Sequence, residues 1–161
     1  MRATFEEAKK LCGGGAATGV EVGVAYGENA KEVFEQWPDV SLILIDNYSE
    51  EPDRRAGMLK LLKGRRAQFL LESSVVAAEK LSPRQFDFVY LDGDHTYEGV
   101  KADLAAWYTL VRSGGVFGGH DYDNTLVPGV KRAVDEFAAE KGLVLHTAPG
   151  AGTQDWYVFK A

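Results

Sequence analysis

One cysteine, Cys12, stands among 161 residues. Without a second thiol no intramolecular disulfide can form, and nothing around Cys12 marks it as a catalytic group. No apolar run approaches the ~20 residues that a membrane-spanning helix needs. The N-terminus has no basic region followed by an apolar core, so no secretory signal is expected and the cytoplasm is the simplest compartment. Positive charge is in deficit, with 18 Lys and Arg against 24 Asp and Glu and a net charge of -6. Nucleic-acid and anionic-membrane binders need a basic face, so neither partner is expected. Six cations do gather (Arg54, Arg55, Lys60, Lys63, Arg65 and Arg66), and they read best as a solvated helix face and its loop. Repeats and low-complexity tracts are absent as well.

What is present is the composition of a soluble globular protein, 45% apolar and 26% charged, long enough for one real core and too short for two. The chain alternates strand and helix signals. Thr4 with Glu7 has the form of a capping box and predicts a short helix to about Leu11, closed by Gly13, Gly14 and Gly15. Val20–Val24 predicts a strand, followed by a helix with Ala30, Val33, Phe34 and Trp37 on one face and Pro38 as its stop. Val40–Ile45 is a second strand ending in Asp46. A turn is expected at Ser49–Pro52, then a helix with Met58, Leu59, Leu61 and Leu62 as its apolar face. Phe69–Leu71 is a third strand, and Ser74–Leu81 a brief helix. Phe88, Val89, Tyr90 and Leu91 form a continuous apolar run, as in a strand buried on both faces. Val100, Leu104, Trp107, Tyr108 and Val111 make a helical stripe, Ser113–Gly115 a turn, and Val116–Phe117 open a fifth strand. A helix from Gly129 to Gly142 follows. Strands near Leu143–His146 and Trp156–Lys160 form a terminal hairpin across Pro149–Thr153. Strands alternating with helices over short loops imply an α/β fold, a mostly parallel sheet covered on both faces.

Chemistry concentrates at expected strand ends, where open α/β sheets bind ligands. Glu21-x-Gly23-x-x-x-Gly27 lies where a strand turns into a helix, the setting of a backbone cradle for a ligand. The spacing is not Gly-x-Gly-x-x-Gly, so a plain structural turn competes with a cofactor loop. Asp46 ends the next strand, where an acid can accept from both hydroxyls of a ribose or cap the following turn; the glycine loop ahead of it favours the nucleoside. Asp92-Gly93-Asp94-His95 follows the central strand, and His120-Asp121 follows the next. If those strands are neighbours, Asp92 and Asp121 converge. Two carboxylates and an imidazole suit a hard divalent ion, Mg2+, or Mn2+ if the imidazole binds directly. Otherwise Asp94 caps a helix and the histidines sit on surface loops. His146 reads as an ordinary strand-end histidine, and Trp156 and Tyr157 as packing.

With these residues in view, the chain resembles class I S-adenosylmethionine-dependent methyltransferases. It is similar in particular to the small-molecule group with macrocin and mycinamicin sugar O-methyltransferases and cephalosporin hydroxylase-like proteins. The resemblance runs from about Val20 to Lys160. It is carried by Val-Glu-Val-Gly-Val-Ala-Tyr-Gly, the Asp46 strand, Phe86–Val100, Ser113–Tyr122 and Gly129–Val134. It implies a Rossmann-like seven-stranded sheet in the order 3-2-1-4-5-7-6 with strand 7 antiparallel, as a single domain over residues 1–161. It also implies that Glu21 contacts the amino end of S-adenosylmethionine, that Gly23 lets it approach, and that Asp46 holds the ribose. Tyr26, Gly27, Asn47, Ser73 and Asp92 would complete the cofactor site, with Ser73 toward the adenine. His95 would be the general base, working with Asp92. Asp92, His120 and Asp121 would be the metal-ligand positions; relatives often carry two acids where this chain has His120-Asp121. The acceptor would be a hydroxylated small molecule such as a sugar or polyketide. No substantial inserted cap is visible, so a homodimer could supply a lid. Two other readings stay open: a nicotinamide-dependent oxidoreductase on the same fold class, and a non-catalytic S-adenosylmethionine-binding module.

Overall fold

The computed structural model describes residues 1–48, 52–150 and 152–161. In chain order the elements are α1 (Ala3–Leu11), β1 (Ala17–Val22), α2 (Glu28–Gln36), β2 (Val40–Asp46), α3 (Pro52–Leu61), β3 (Ala67–Leu71), α4 (Ser74–Leu81), β4 (Phe86–Leu91), α5 (Tyr97–Tyr108), β5 (Val111–Gly119), α6 (Gly129–Lys141), β6 (His146–Pro149) and β7 (Gln154–Phe159). The sheet runs β3-β2-β1-β4-β5-β7-β6. The first five strands pair in parallel, and β7 is antiparallel to both β5 and β6. This is the order the sequence resemblance implies. Among the described residues no helix is long and apolar enough to cross a membrane.

The apolar run of β4 is buried from both sides. Val89 and Leu91 face α4, α5 and α6, packing with Ala77, Leu104, Trp107 and Val134. Phe88 and Tyr90 face α1, α2 and α3, packing with Phe5, Phe34, Trp37 and Met58. Each large side chain so buried contributes about 1.5–3 kcal/mol. Gly19 of β1 lets the Phe88 ring lie across it, since a Cβ there would sit 2.0 Å from the ring.

Several local expectations shift. Thr4 does not cap α1. The N-cap is Arg2, no side chain near it in sequence bonds the first turn, and Thr4 is fully buried. The cap comes from β7 instead, where Asp155 Oδ2 accepts from the Ala3 amide at 2.9 Å. Met58 of α3 and Leu62 just past its end are buried in the cluster with Phe34 and Tyr48, but Leu59 and Leu61 stay exposed, because only one side of the helix meets that cluster. Val111 belongs to β5, opposite Phe86, not to the α5 stripe. The turn expected at Ser113–Gly115 falls inside β5, where pairing jumps from Phe86–Val111 to Phe88–Val116. The last hairpin starts late. Gly142 ends α6 in the left-handed region, the Leu143 amide folds back onto Ala138, and Leu143 and Leu145 pack on the core before β6 begins. The turn at Ser49–Pro52 lies mainly outside the described residues, as does Ala151 of the Pro149–Thr153 loop.

Candidate active site

The tips of β1 and β4 meet with no room for a side chain. A Cβ on Gly23 would lie 2.0 Å from the Asp92 carbonyl oxygen, and Gly23 has φ +81°. Both conditions demand glycine. The following turn is held by Asp46. Its Oδ2 accepts from the Val24 and Ala25 amides at 2.9 and 3.0 Å, and its Oδ1 from the Tyr48 amide at 2.8 Å. The Tyr48 hydroxyl closes the ring by donating to the Ala25 carbonyl at 2.8 Å. Asp46 therefore caps the turn that follows it, as one sequence reading has it, and also lines the cleft that the other reading requires.

That cleft, of about 1000 Å³, opens at the carboxyl ends of β1, β2 and β4. It gathers Gly23, Tyr26, Asp46, Asn47, Ser73 and Asp92 of the expected cofactor residues. Gly27 does not line it; at φ +79° it is the N-cap of α2 and packs on Met58. Glu21 is not on its wall either. It is wholly buried, and neither carboxylate oxygen has a hydrogen-bond partner. Burial pushes its pKa up to about 8, helped by the charge of Asp92, while Asn29 and Arg2 pull the other way. Arg2 and Asn29 do line the cleft, with Arg2 Nε donating to Asn29 Oδ1 at 3.0 Å.

Adjacency of β4 and β5 brings Asp92 and Asp121 together. His95 sits with them: its Nε2 lies 2.9 Å from Asp121 Oδ2 and 3.4 Å from Asp92 Oδ1. The hydrogen bond to Asp92 raises the His95 pKa, the charges of Asp92 and Asp121 add to it, and burial opposes. Asp121 is lowered: burial would raise it, but hydrogen bonds from Asn124 and Thr153 and the nearby histidines outweigh that. One ligand atom from each of Asp92, His95 and Asp121 falls within 4.8 Å of the others, a donor set that suits Mg2+ or Mn2+. His120, expected among the ligand positions, is not in this group. Its Nδ1 donates to the buried Asp155 at 2.9 Å, and its Nε2 is 3.2 Å from the Thr153 hydroxyl. Asp94 does not cap α5; Thr96 does, while Asp94 accepts from the Thr96 amide. Ser73 is the N-cap residue of α4 without using its side chain for capping.

Four residues of this region are missing from the sequence reading. Arg2 carries no local signal. Asp155 shares its face of β7 with Tyr157 and Phe159, opposite the buried Trp156 and Val158, so alternation gives no sign of its complete burial. Asp103 sits on the apolar stripe of α5 between Val100 and Trp107, lines the cleft, and is pushed up to about 6 by burial, with Ser74 pulling back. Thr153, in the hairpin loop, has no periodicity to betray it.

An open, mostly parallel sheet with an antiparallel β7, a glycine turn tied to an acid on the neighbouring strand, and a cleft above their tips define a Rossmann-like class I methyltransferase fold. The chain belongs to the Methyltransf_24 family, whose model, described as a methyltransferase domain, matches residues 20–122, and it is an S-adenosylmethionine-dependent methyltransferase. No curated protein matches the sequence significantly. Among solved structures, CalS11, a TDP-rhamnose 3'-O-methyltransferase of calicheamicin biosynthesis, is similar at 18% identity and a TM-score of 0.70, over 96% of this chain and 77% of that one. An O-methyltransferase from Bacillus cereus in complex with S-adenosylhomocysteine is similar at 17% identity and 0.71, over 96% and 81%. The S-adenosylhomocysteine-bound methyltransferase PaMTH1 of Podospora anserina is similar at 14% identity and 0.72, over 98% and 76%.

Proposed function

We propose that the domain methylates a hydroxyl oxygen of a small molecule. The observation that carries this reading is the His95 imidazole, held against Asp92 and Asp121 at the mouth of the nucleoside-sized cleft. Bound S-adenosylmethionine supplies a methyl group already activated on sulfur, so the residues here must align the acceptor oxygen and remove its proton. Gly23, Asp46 and Ser73 line the part of the cleft suited to the nucleoside, and Asp46 keeps acceptor capacity beside its three amide bonds. Glu21 is buried off the cleft wall and holds its proton in the free protein, so it meets the cofactor ammonium only if binding opens a path to it and takes that proton. With Nε2 donating to the carboxylates, His95 Nδ1 takes the hydroxyl proton as the oxygen–methyl bond forms and the carbon–sulfur bond breaks. With its pKa raised, the base becomes available only above the ordinary imidazole range, so turnover rises with pH there.

A divalent ion on Asp92 and Asp121 would supply Lewis acidity to the acceptor oxygen. If His95 completes its donor set, the same imidazole cannot serve as base, and metal dependence decides between the two. A sugar or polyketide acceptor, a cytoplasmic setting and a homodimer that closes the open cleft belong to the same proposal.

The test is calorimetric titration of S-adenosylhomocysteine, with and without Mg2+, into wild type, Asp46→Ala and His95→Ala, followed by an acceptor screen with labelled S-adenosylmethionine. Wild type binds, and Asp46→Ala binds at least about tenfold more weakly through lost charged hydrogen bonds. His95→Ala keeps its affinity and loses about 100-fold or more in turnover. Folded protein that binds no S-adenosylhomocysteine would falsify the proposal.

A further inference from the structure

Thr153 has one hydroxyl proton and two partners. It donates to Asp121 Oδ1 at 2.8 Å, and its oxygen lies 3.2 Å from His120 Nε2. His120 Nδ1 donates to Asp155 Oδ1 at 2.9 Å, and Asp155 is completely buried. The other Asp155 oxygen accepts from the Ala3 amide of α1. At the far end of this run Asp121 Oδ2 meets His95 Nε2 at 2.9 Å. Asp121 thus gives one oxygen to Thr153, shared with Asn124 Nδ2 at 3.0 Å, and the other to His95.

The loop is built so that the hydroxyl has a defined direction. The Gly150 amide donates to the Thr153 carbonyl at 2.8 Å, the Gln154 amide to Asp123 Oδ1 at 2.6 Å, and the Tyr122 amide to the Gln154 carbonyl at 3.0 Å. These bonds close the hairpin and dock it on the loop after β5 without any help from the Thr153 side chain. Gly150 has no side chain where one would press on the pair beneath it: a Cβ there would lie 2.9 Å from Asp155 Oδ1 and 3.1 Å from His120 Cε1. Arg2 Nη1, 3.6 Å from Asp155 Oδ1, adds positive charge beside that buried carboxylate.

We propose that Thr153 is a positioning residue: backed by His120 and Asp155, it turns the Asp121 carboxylate so that its second oxygen faces His95. His120 then serves the site through Thr153 and not as a metal ligand. The functional meaning rests on His95 being the base of the methyl transfer, but the geometry belongs to the protein alone and is testable without cofactor. Partners that orient a working group in this way are commonly worth 10- to 100-fold in affinity or activity.

The experiment is 1H–15N spectroscopy of the imidazoles in cofactor-free protein. The chain has three histidines, so each signal is assigned by replacing one at a time. In the wild type the His95 Nε2 proton, held between Asp92 Oδ1 at 3.4 Å and Asp121 Oδ2 at 2.9 Å, gives a slowly exchanging resonance. Thr153→Val, nearly isosteric but without the hydroxyl, loses it; Thr153→Ser restores it. His146, stacked on Tyr157 away from the relay, keeps its signal in both and reports that the hairpin is intact. Thr153→Ala gives the same comparison should valine not fold. An unchanged His95 resonance in the Val or Ala variant, or a loss that serine fails to recover, overturns the proposal. S-adenosylhomocysteine affinity stays within about twofold in Thr153→Val, because Thr153 does not line the cleft. A wild type that binds no S-adenosylhomocysteine removes the methyl-transfer reading and leaves the imidazole result to decide the positioning role.

Discussion

Glu21 is a carboxyl group that the free protein would rather keep protonated. Burial lifts its pKa to about 8, above the ordinary carboxylate range. Between roughly pH 4.5 and 8 the folded chain therefore holds a proton there that the unfolded chain releases. Stability from this group is full below the unfolded pKa and is lost as pH rises through the folded one. Glu21→Gln removes that loss. In urea denaturation the variant is expected to gain on wild type progressively from pH 5 to pH 8.5, and a constant difference across that range would mean Glu21 is ionised in the fold. Among the described residues three non-glycines have positive φ, Ala25, Tyr48 and Asp121, and all three lie just past the ends of β1, β2 and β5. Backbone strain of this kind collects where a structure holds working groups. Asp92, Asp121 and His95 were legible in the sequence because each follows an apolar strand directly. The different surroundings of His95 and His120 were not. They depend on where the hairpin loop places Thr153 and where β7 places Asp155, and neither spacing nor periodicity encodes that.

At the scale of elements, α1 depends on partners far away in sequence. Nine residues are too few for a stable helix in isolation. It is held by Phe5, fully buried with its ring 4.8 Å from Tyr90 and 5.6 Å from Phe88, and by the amide bond to Asp155. Phe5→Ala is expected to cost about 3–5 kcal/mol in chemical denaturation. A cost under about 1 kcal/mol would show that α1 contributes little to the fold. The helices with broad apolar faces, α2 and α6, and the Ser74–Leu81 helix were legible almost to the residue. Those whose ends depend on distant partners were not: Thr4 and Glu7 spell a capping box, but a carboxylate from β7 arrives first. The start of β5 was hidden similarly, since Val111 continues the spacing of α5 yet pairs with Phe86.

For the whole molecule, the sheet order could be expected from the resemblance, while the alternation of strands and helices by itself fixes only a parallel sheet covered on both faces. The antiparallel β7 is what joins the two ends of the chain. Because α1 packs on β4, β5 and β7 and takes its cap from Asp155, its amides should open with those of β7 as one unit. Native-state hydrogen exchange checks this: α1 and β7 should share one opening free energy, and α1 exchanging independently of β7 would separate them. The cap on α1 spans 152 positions of sequence. During synthesis, then, α1 emerges 152 positions ahead of the carboxylate that caps it. Phe5 can dock on Phe88 and Tyr90 once β4 has been made, but the Ala3 amide stays uncapped until Asp155 follows, so α1 passes through a docked, frayed stage open to chaperones and proteases.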